Sequence, residues 1–274
     1  MTSSNEWIRR KILLAGVLIA LFVHTSCYAD NLRIGVSSNF RSTLEKIATR
    51  FELEHKIKVE VSAASTGALF AQVTSGAPFD ILFAADSLRP ALLELGGHTR
   101  LRRTYAYGQL VFWTPGKPAN KTALKQYKRT MAIANPRHAP YGKAATETLE
   151  LMQVKTARVV YGTNIAQAFN FVRTGNAPAG LVALSQIKYL KVPAVEFWVV
   201  PTEFYAPIEQ QLVVLEDASA KAELFVAYTF DPDTTRLIEK AGYLAAEKDN
   251  QTGISNTAVT TIGAVTTIGA GANQ

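Results

Sequence analysis

From about residue 32 onward, short apolar runs alternate with longer amphipathic stretches. Leu32-Arg33-Ile34-Gly35-Val36 reads as a strand. Behind the polar triplet Ser37-Ser38-Asn39 a helical spacing takes over, with Leu44, Ile47 and Phe51 at i, i+3 and i+7. Residues 58–63 form the next strand, in which Val59 and Val61 alternate with polar positions. Ser65-Thr66-Gly67 follows, and then a helix carrying Leu69, Phe70 and Val73. Residues 79–84 are apolar except for Asp80, which predicts a strand buried on both faces. A helix opening at Asp86 runs through Leu92, Leu93 and Leu95 and closes on Gly96-Gly97.

Strand and helix in strict alternation predict an α/β fold with a mainly parallel sheet and right-handed crossovers. A strand at 109–114 breaks at Pro115-Gly116-Lys117-Pro118 and marks the crossing into a second unit. The theme then resumes, with strands at 131–134, 159–161, 179–184 and 195–200 and helices at 143–152 and 166–173. Residues 210–215 read as a strand returning to the first unit, closed by helices at 218–230 and 234–241. The predicted division is residues 30–112 and 207–247 in a first lobe and 113–206 in a second. A folded part of about 215 residues is comfortable for two units of about 100 each.

Both ends break the pattern. Arg9, Arg10 and Lys11 precede an apolar run at 12–23, and Cys27-Tyr28-Ala29 places small residues before Asp30. That is the layout of a cleavable secretory signal over residues 1–29; the run is well short of the roughly 20 residues that span a bilayer. Cleavage there discards Cys27, the only cysteine, so disulfide and thiol chemistry are not expected. At the far end, Ala258-Val259-Thr260-Thr261-Ile262-Gly263 is repeated as Ala264-Val265-Thr266-Thr267-Ile268-Gly269. Residues 248–274 are expected to be a disordered, low-complexity tail.

The chain carries a formal charge of +7; removing Arg9, Arg10, Lys11 and Glu6 with the signal leaves +5. A modest positive field favours anionic ligands. The basic residues are scattered, without interleaved aromatics, which argues against a nucleic-acid partner. Among enzyme signatures there is no Gly-x-Ser-x-Gly elbow, no His-Glu-x-x-His and no phosphate loop. His55, His98 and His138 are isolated from one another and from other metal-ligating residues. Asp80 and Asp86 flank one strand, but Asp86 is expected to serve as a helix N-cap.

Candidate chemistry gathers at four strand-to-helix junctions: Ser37-Ser38-Asn39, Ser65-Thr66, Tyr141-Gly142 and Asn164-Ile165. The first amides of a helix lack internal partners and sit at the positive end of the dipole, so such ends hold anions without a formal cation. In open α/β sheets ligands lie beyond the carboxyl ends of the strands, where these four junctions fall. Any one of them alone is an ordinary cap.

Taken in order, Arg33-Ile34-Gly35-Val36-Ser37-Ser38-Asn39-Phe40, Ser65-Thr66-Gly67 and Gly76-Ala77-Pro78-Phe79-Asp80 resemble the periplasmic molybdate-binding proteins of ABC transporters. So do Ala84-Ala85-Asp86, Asn135-Pro136, Ala139-Pro140-Tyr141-Gly142 and Gly180-Leu181-Val182-Ala183-Leu184-Ser185. The resemblance implies the two-lobed type II periplasmic binding protein fold, with two crossover strands as hinge. It implies a periplasmic, monomeric receptor for molybdate or tungstate that serves ABC permease subunits, with no catalysis and no cofactor. Molybdenum would be present only as the oxyanion, without direct protein ligands. Carried over by position, Ser38 and Asn39 match the first binding loop, and Ser65 or Thr66 the second. Tyr141 matches the third loop, through its amide or its hydroxyl, and Ile165 an amide donor at a helix start. Asn39 and Ala183 stand where some members carry Ser and Tyr. Competing readings are the same fold with sulfate, phosphate or a small organic acid, a transcription-regulator effector domain, and a secreted α/β hydrolase.

Overall fold

A computed structural model describes residues 31–246; the expected signal segment and the tail lie outside them. The chain enters on β1 (Leu32–Ser37), α1 (Arg41–His55), β2 (Val59–Ala64), α2 (Thr66–Thr74), β3 (Ile81–Phe83) and α3 (Leu88–Leu95). A long strand β4 (Thr99–Gly108) runs directly into β5 (Leu110–Trp113), and here the chain leaves one sheet for another. The second unit continues with α4 (Lys121–Lys125), β6 (Thr130–Ala134), α5 (Pro140–Leu151), β7 (Arg158–Gly162) and α6 (Ile165–Arg173). It is completed by β8 (Gly180–Ala183), α7 (Leu184–Leu190) and β9 (Phe197–Val199). The return strand β10 (Ile208–Leu215) rejoins the first sheet, followed by α8 (Lys221–Thr229), α9 (Pro232–Lys240) and the short β11 (Leu244–Ala245).

The first sheet has the order β11-β4-β10-β3-β1-β2 and the second β7-β6-β8-β5-β9. Each is mixed. β1 pairs in parallel with β2 and β3, and β6 with β7 and β8, as the strand-helix alternation predicts. The crossing strands add antiparallel ladders, β10 to β3 and β4, and β5 to β8 and β9. A chain that leaves a sheet along one strand and comes back along another has no crossover helix there to force parallel pairing.

Separate cores hold the two lobes, and a smaller cluster of Leu69, Leu82, Leu93 and Val213 adds to the first lobe. In the first, Ile34, Val36, Phe40, Leu44, Phe51, Phe83, Leu212 and Phe225 are fully buried. Phe40 packs on Tyr105 with ring centroids 4.8 Å apart, and Phe51 on Phe225 at 4.9 Å. In the second, Phe112, Ile133 and Leu181 are buried, and Trp113 stacks on Phe169 at 5.0 Å. Each fully buried side chain of this size contributes about 1.5–3 kcal/mol.

Sequence pattern and structure differ at several places. β4 escapes the pattern because its Thr-Arg-Leu-Arg-Arg-Thr segment is half exposed and shows no apolar alternation. Its arginines are instead held from outside, Arg102 by Glu94 at 2.8 Å and Arg103 over the Phe230 ring at 3.7 Å. The strand expected over 79–84 shortens to β3, although the Asp80 backbone still bonds to Arg33 at 2.7 Å and to Leu215 at 3.0 Å. The Asp80 carboxylate accepts the amides of Arg33 at 2.7 Å and Ser219 at 3.0 Å. The helix expected to open at Asp86 has Ser87 at its N-cap position, although Asp86 accepts the Arg89 amide at 3.0 Å. Residues 194–196 form a 3-10 turn before β9 begins.

Candidate functional site

Parallel pairing places the strand ends of the first lobe side by side: Ser37 is in register with Ala64, and Val36 with Phe83. The loops leaving these strands therefore meet. The Ser38 amide donates to the Ala64 carbonyl at 2.9 Å, fixing the first loop on the end of β2. Ser65 caps α2, its hydroxyl accepting the Ala68 amide at 3.3 Å. The Thr66 hydroxyl accepts the Ala85 amide at 3.0 Å and ties the same helix start to the end of β3. Ser38, Asn39, Ser65 and Thr66 are all buried.

The second lobe repeats the device. Ala134 is in register with Gly162, so the starts of α5 and α6 are neighbours. Pro140 occupies the first turn of α5, where its missing N–H removes no helical bond. Tyr141 follows, 1% exposed. Asn164 caps α6 by accepting the Gln167 amide at 3.0 Å and presents Ile165 as the first helical residue. Among the described residues the amides of Asn39, Thr66, Tyr141 and Ile165 carry no hydrogen-bond partner, and neither does the Ser38 hydroxyl.

Three bonds bring the lobes together at this point. The Gly67 amide donates to the His138 carbonyl at 2.9 Å, joining the second loop to the loop that carries Tyr141. A side chain at position 67 would bring its Cβ to 3.1 Å from the His138 backbone, so the approach favours glycine. Arg89 donates to the Arg137 carbonyl at 3.2 Å. Ser185, on the first turn of α7, donates to the Asn39 carbonyl at 2.9 Å. The next residue, Gln186, donates to the Ile165 carbonyl at 3.3 Å, which brings the sixth candidate to the same seam. All six sequence candidates thus border one interlobe region.

Behind the loops lies a buried polar cluster that the sequence reading did not find. The Asn39 amide nitrogen donates to Gln210 Oε1 at 2.9 Å and to the Tyr243 hydroxyl at 3.0 Å. Tyr243 in turn donates to the Asn39 carbonyl at 2.8 Å, and Tyr105 donates to Gln210 Oε1 at 3.2 Å. The ring of Tyr141 reaches this cluster from the other lobe, over Gly108 at the end of β4. A Cβ at position 108 would stand 2.2 Å from the Tyr141 hydroxyl. Burial pushes the Tyr141 phenol well above its usual pKa, reinforced by Tyr243, Tyr205 and Tyr105; the facing Asn39 side chain acts in the opposite direction. Burial likewise raises Tyr105 and Tyr243. Asn39 Oδ1, Gln210 Nε2 and the Tyr141 hydroxyl lack partners. The available signal was Gln210-Gln211 at the head of the apolar run Leu212–Leu215, since polar residues at core positions need a reason.

The seam is built from neutral groups. Arg89, which reaches the Arg137 carbonyl, is ion-paired with Asp86. Asp80 is engaged by two amides, so the two aspartates do not form an acid pair. His55, His98 and His138 are exposed, and among the described residues no cluster of His, Cys, Asp or Glu is suited to a metal ion.

Two α/β lobes joined by crossing strands, with unpaired amides from both lobes facing one seam, define a two-lobed ligand receptor. Residues 32–244 match the family described as bacterial extracellular solute-binding protein, and the chain belongs to that family. It is 38% identical over 227 residues to the molybdate-binding protein ModA of Azotobacter vinelandii, covering 78% of this chain and 90% of the relative. To ModA of Rhodobacter capsulatus it is 36% identical over 228 residues, covering 79% and 89%. The structure resembles that of the Azotobacter vinelandii periplasmic molybdate-binding protein with a TM-score of 0.70 and 31% identity, covering 79% of this chain and all of that one. The sulfate-binding protein SubI of Mycobacterium tuberculosis shares the fold at a TM-score of 0.63 and 12% identity.

Proposed function

We propose that this protein captures molybdate or tungstate between its lobes and delivers it to the membrane subunits of an ABC importer. The observation that carries this reading is the set of unpaired amides at Asn39, Thr66, Tyr141 and Ile165, brought to one seam with the free Ser38 hydroxyl. A tetrahedral dianion accepts about six such bonds, each worth roughly 1.5–3 kcal/mol when the acceptor is charged. That is on the order of 10–15 kcal/mol before desolvation and ordering costs take much of it back. Neutral donors spread the charge and let the ligand go when the lobes part. The kinship with molybdate-binding relatives selects this ligand among oxyanions.

In this reading Ser38 and Asn39 serve the first loop. Ser65, whose capping bond is long at 3.3 Å, supplies the second-loop hydroxyl, because that of Thr66 is held by Ala85. Tyr141 and Ile165 act through their amides. The protein works as an exported, periplasmic monomer, without catalysis and without a resident cofactor; molybdenum enters only as cargo. Selection against sulfate comes from the size of the closed seam.

Isothermal titration of the purified protein with molybdate, tungstate, sulfate and phosphate tests the proposal. Tight binding of the first two and weak binding of the others is expected. Sulfate binding as tight as molybdate would refute the size argument, and no response to any oxyanion would refute the receptor reading.

A further inference from the structure

A cavity of about 700 Å³ opens at the lobe seam between α1, α6, α7 and α9, with Ser38, Asn39 and Ser185 on its floor. By volume it has room for about twenty waters, far more than one four-oxygen anion needs. Its walls carry seven cationic side chains against a single acid, Asp233. Arg41 is paired with Glu45, and Arg236 with Asp233. The other five are Lys46 and Arg50 on α1, Arg173 and Lys188 on α6 and α7, and Lys240 on α9; among the described residues none has an acidic partner. All five are exposed. They come from both lobes, and Lys46 lies 5.6 Å from the centroid of the Tyr189 ring across the seam.

The charge is in the wrong place to hold a buried anion. Exposed cations are screened and contribute little to a bound state, while the seam itself is neutral. What a ring of exposed like charges does well is attract from a distance, since a cleft lined by one sign raises the encounter rate of an opposite charge about 10- to 1000-fold. Ser38 and Asn39, buried residues among the cavity's lining, link this field to the candidate site.

We propose that this groove is the entrance vestibule of the site, whose exposed cations steer a dianion toward Ser38 and set the rate of association while leaving the rate of dissociation almost unchanged. The inference rests on the oxyanion reading above. It separates two tasks: capture is electrostatic and screened by salt, whereas retention is by neutral hydrogen bonds and nearly salt-independent. Steering acts within a Debye length, about 8 Å at physiological salt and about 30 Å at 10 mM ionic strength.

The test is stopped-flow tryptophan fluorescence with molybdate as probe across ionic strength. Four proteins are compared: wild type, the groove variant Arg50→Glu/Arg173→Glu/Lys240→Glu, its milder form with Gln at the same three positions, and a control of equal charge change outside the groove, Lys117→Glu/Lys125→Glu/Lys128→Glu. At 10 mM ionic strength the groove variant should associate at least tenfold more slowly than wild type. The gap should close at 0.5 M salt, and dissociation should stay within twofold. The control should associate within about twofold of wild type, and the milder Arg50→Gln/Arg173→Gln/Lys240→Gln should fall between. Equal association rates of wild type and groove variant at low salt would overturn the vestibule, as would an equal loss in the control. Equilibrium titration of wild type in 0.5 M salt, where steering is screened out, reads the oxyanion proposal by itself. Binding there without a rate difference removes only the vestibule; no binding there removes both.

Discussion

The hydroxyl of Ser185 donates to the backbone carbonyl of Asn39 at 2.9 Å, one buried bond between lobes whose sheets share no strand. It draws the first loop against α7 without using the Asn39 amide, which keeps no partner among the described residues. Ser185→Ala should therefore weaken closure by about 0.5–1.5 kcal/mol, the net worth of such a bond. Small-angle scattering should show a larger radius of gyration without ligand, and molybdate affinity should fall two- to tenfold.

Asn39 is tied by its side chain to Gln210 and Tyr243, so its loop is held in place before any ligand arrives. Asn39→Asp keeps the shape and adds a negative charge beside the anion. Molybdate affinity should drop at least tenfold, the scale of one charge-assisted bond. A titration showing unchanged affinity, with a normal melting curve, would remove Asn39 from the site.

Gly108 leaves the space that the Tyr141 hydroxyl fills. Gly108→Ala overpacks this point, costing about 1–3 kcal/mol. In a folded part of this size, each kcal/mol lowers the melting temperature by about 2–4 °C. Tyr141→Phe removes the atom nearest to the added methyl and should restore only part of the loss in the double variant, because Gln210 Nε2 at 2.8 Å and Tyr141 Cζ at 2.9 Å still crowd it. Alone, Tyr141→Phe should leave stability unchanged or raise it, because the hydroxyl has no partner to lose. If the residue acts through its amide, affinity should change less than threefold.

The phenols of Tyr105, Tyr141 and Tyr243 are all shifted upward by burial. Near pH 10 the unfolded chain begins to release these protons while the folded chain keeps them. The unfolded state then binds fewer protons, so stability is intact below pH 10 and falls as pH rises above it. The slope is about 1.4 kcal/mol per pH unit for each such phenol. Denaturant midpoints between pH 9 and 11.5 measure this. Tyrosinate absorbance should show Tyr228, shifted only to about 12 and half-buried, ionising ahead of the buried three.

Asp80 brackets β1 and the segment before α8 through the amides of Arg33 and Ser219. Asp80→Ala would leave both donors without their acceptor, at about 1–3 kcal/mol each. The melting temperature should fall by several degrees, with molybdate affinity preserved in the folded fraction.

How much was legible in the chain depends on which interactions are local. The strand-helix alternation and the caps at Ser65 and Asn164 are written in spacing and residue type, and the structure has them, whereas the chain changes sheet at Gln109, ahead of β5 and earlier than the expected division at 112–113. The half-exposed β4 was not legible, because its arginines are satisfied by Glu94 and Phe230, residues that only folding brings near. The roles of Gln210 and Tyr243 were hidden for the same reason, lying 171 and 204 residues from their partner Asn39.

By itself the sequence determined the α/β class, the two-unit plan and four helix starts able to receive an anion, since these follow from short-range periodicity and capping. Only the tertiary structure decided that those starts share one seam, that Tyr141 enters the other lobe over Gly108, and that the basic residues of four separate helices line one groove. Such facts depend on how parallel strand ends align and where two crossing strands set the lobes, and long-range pairing of that kind has no local signature in the chain.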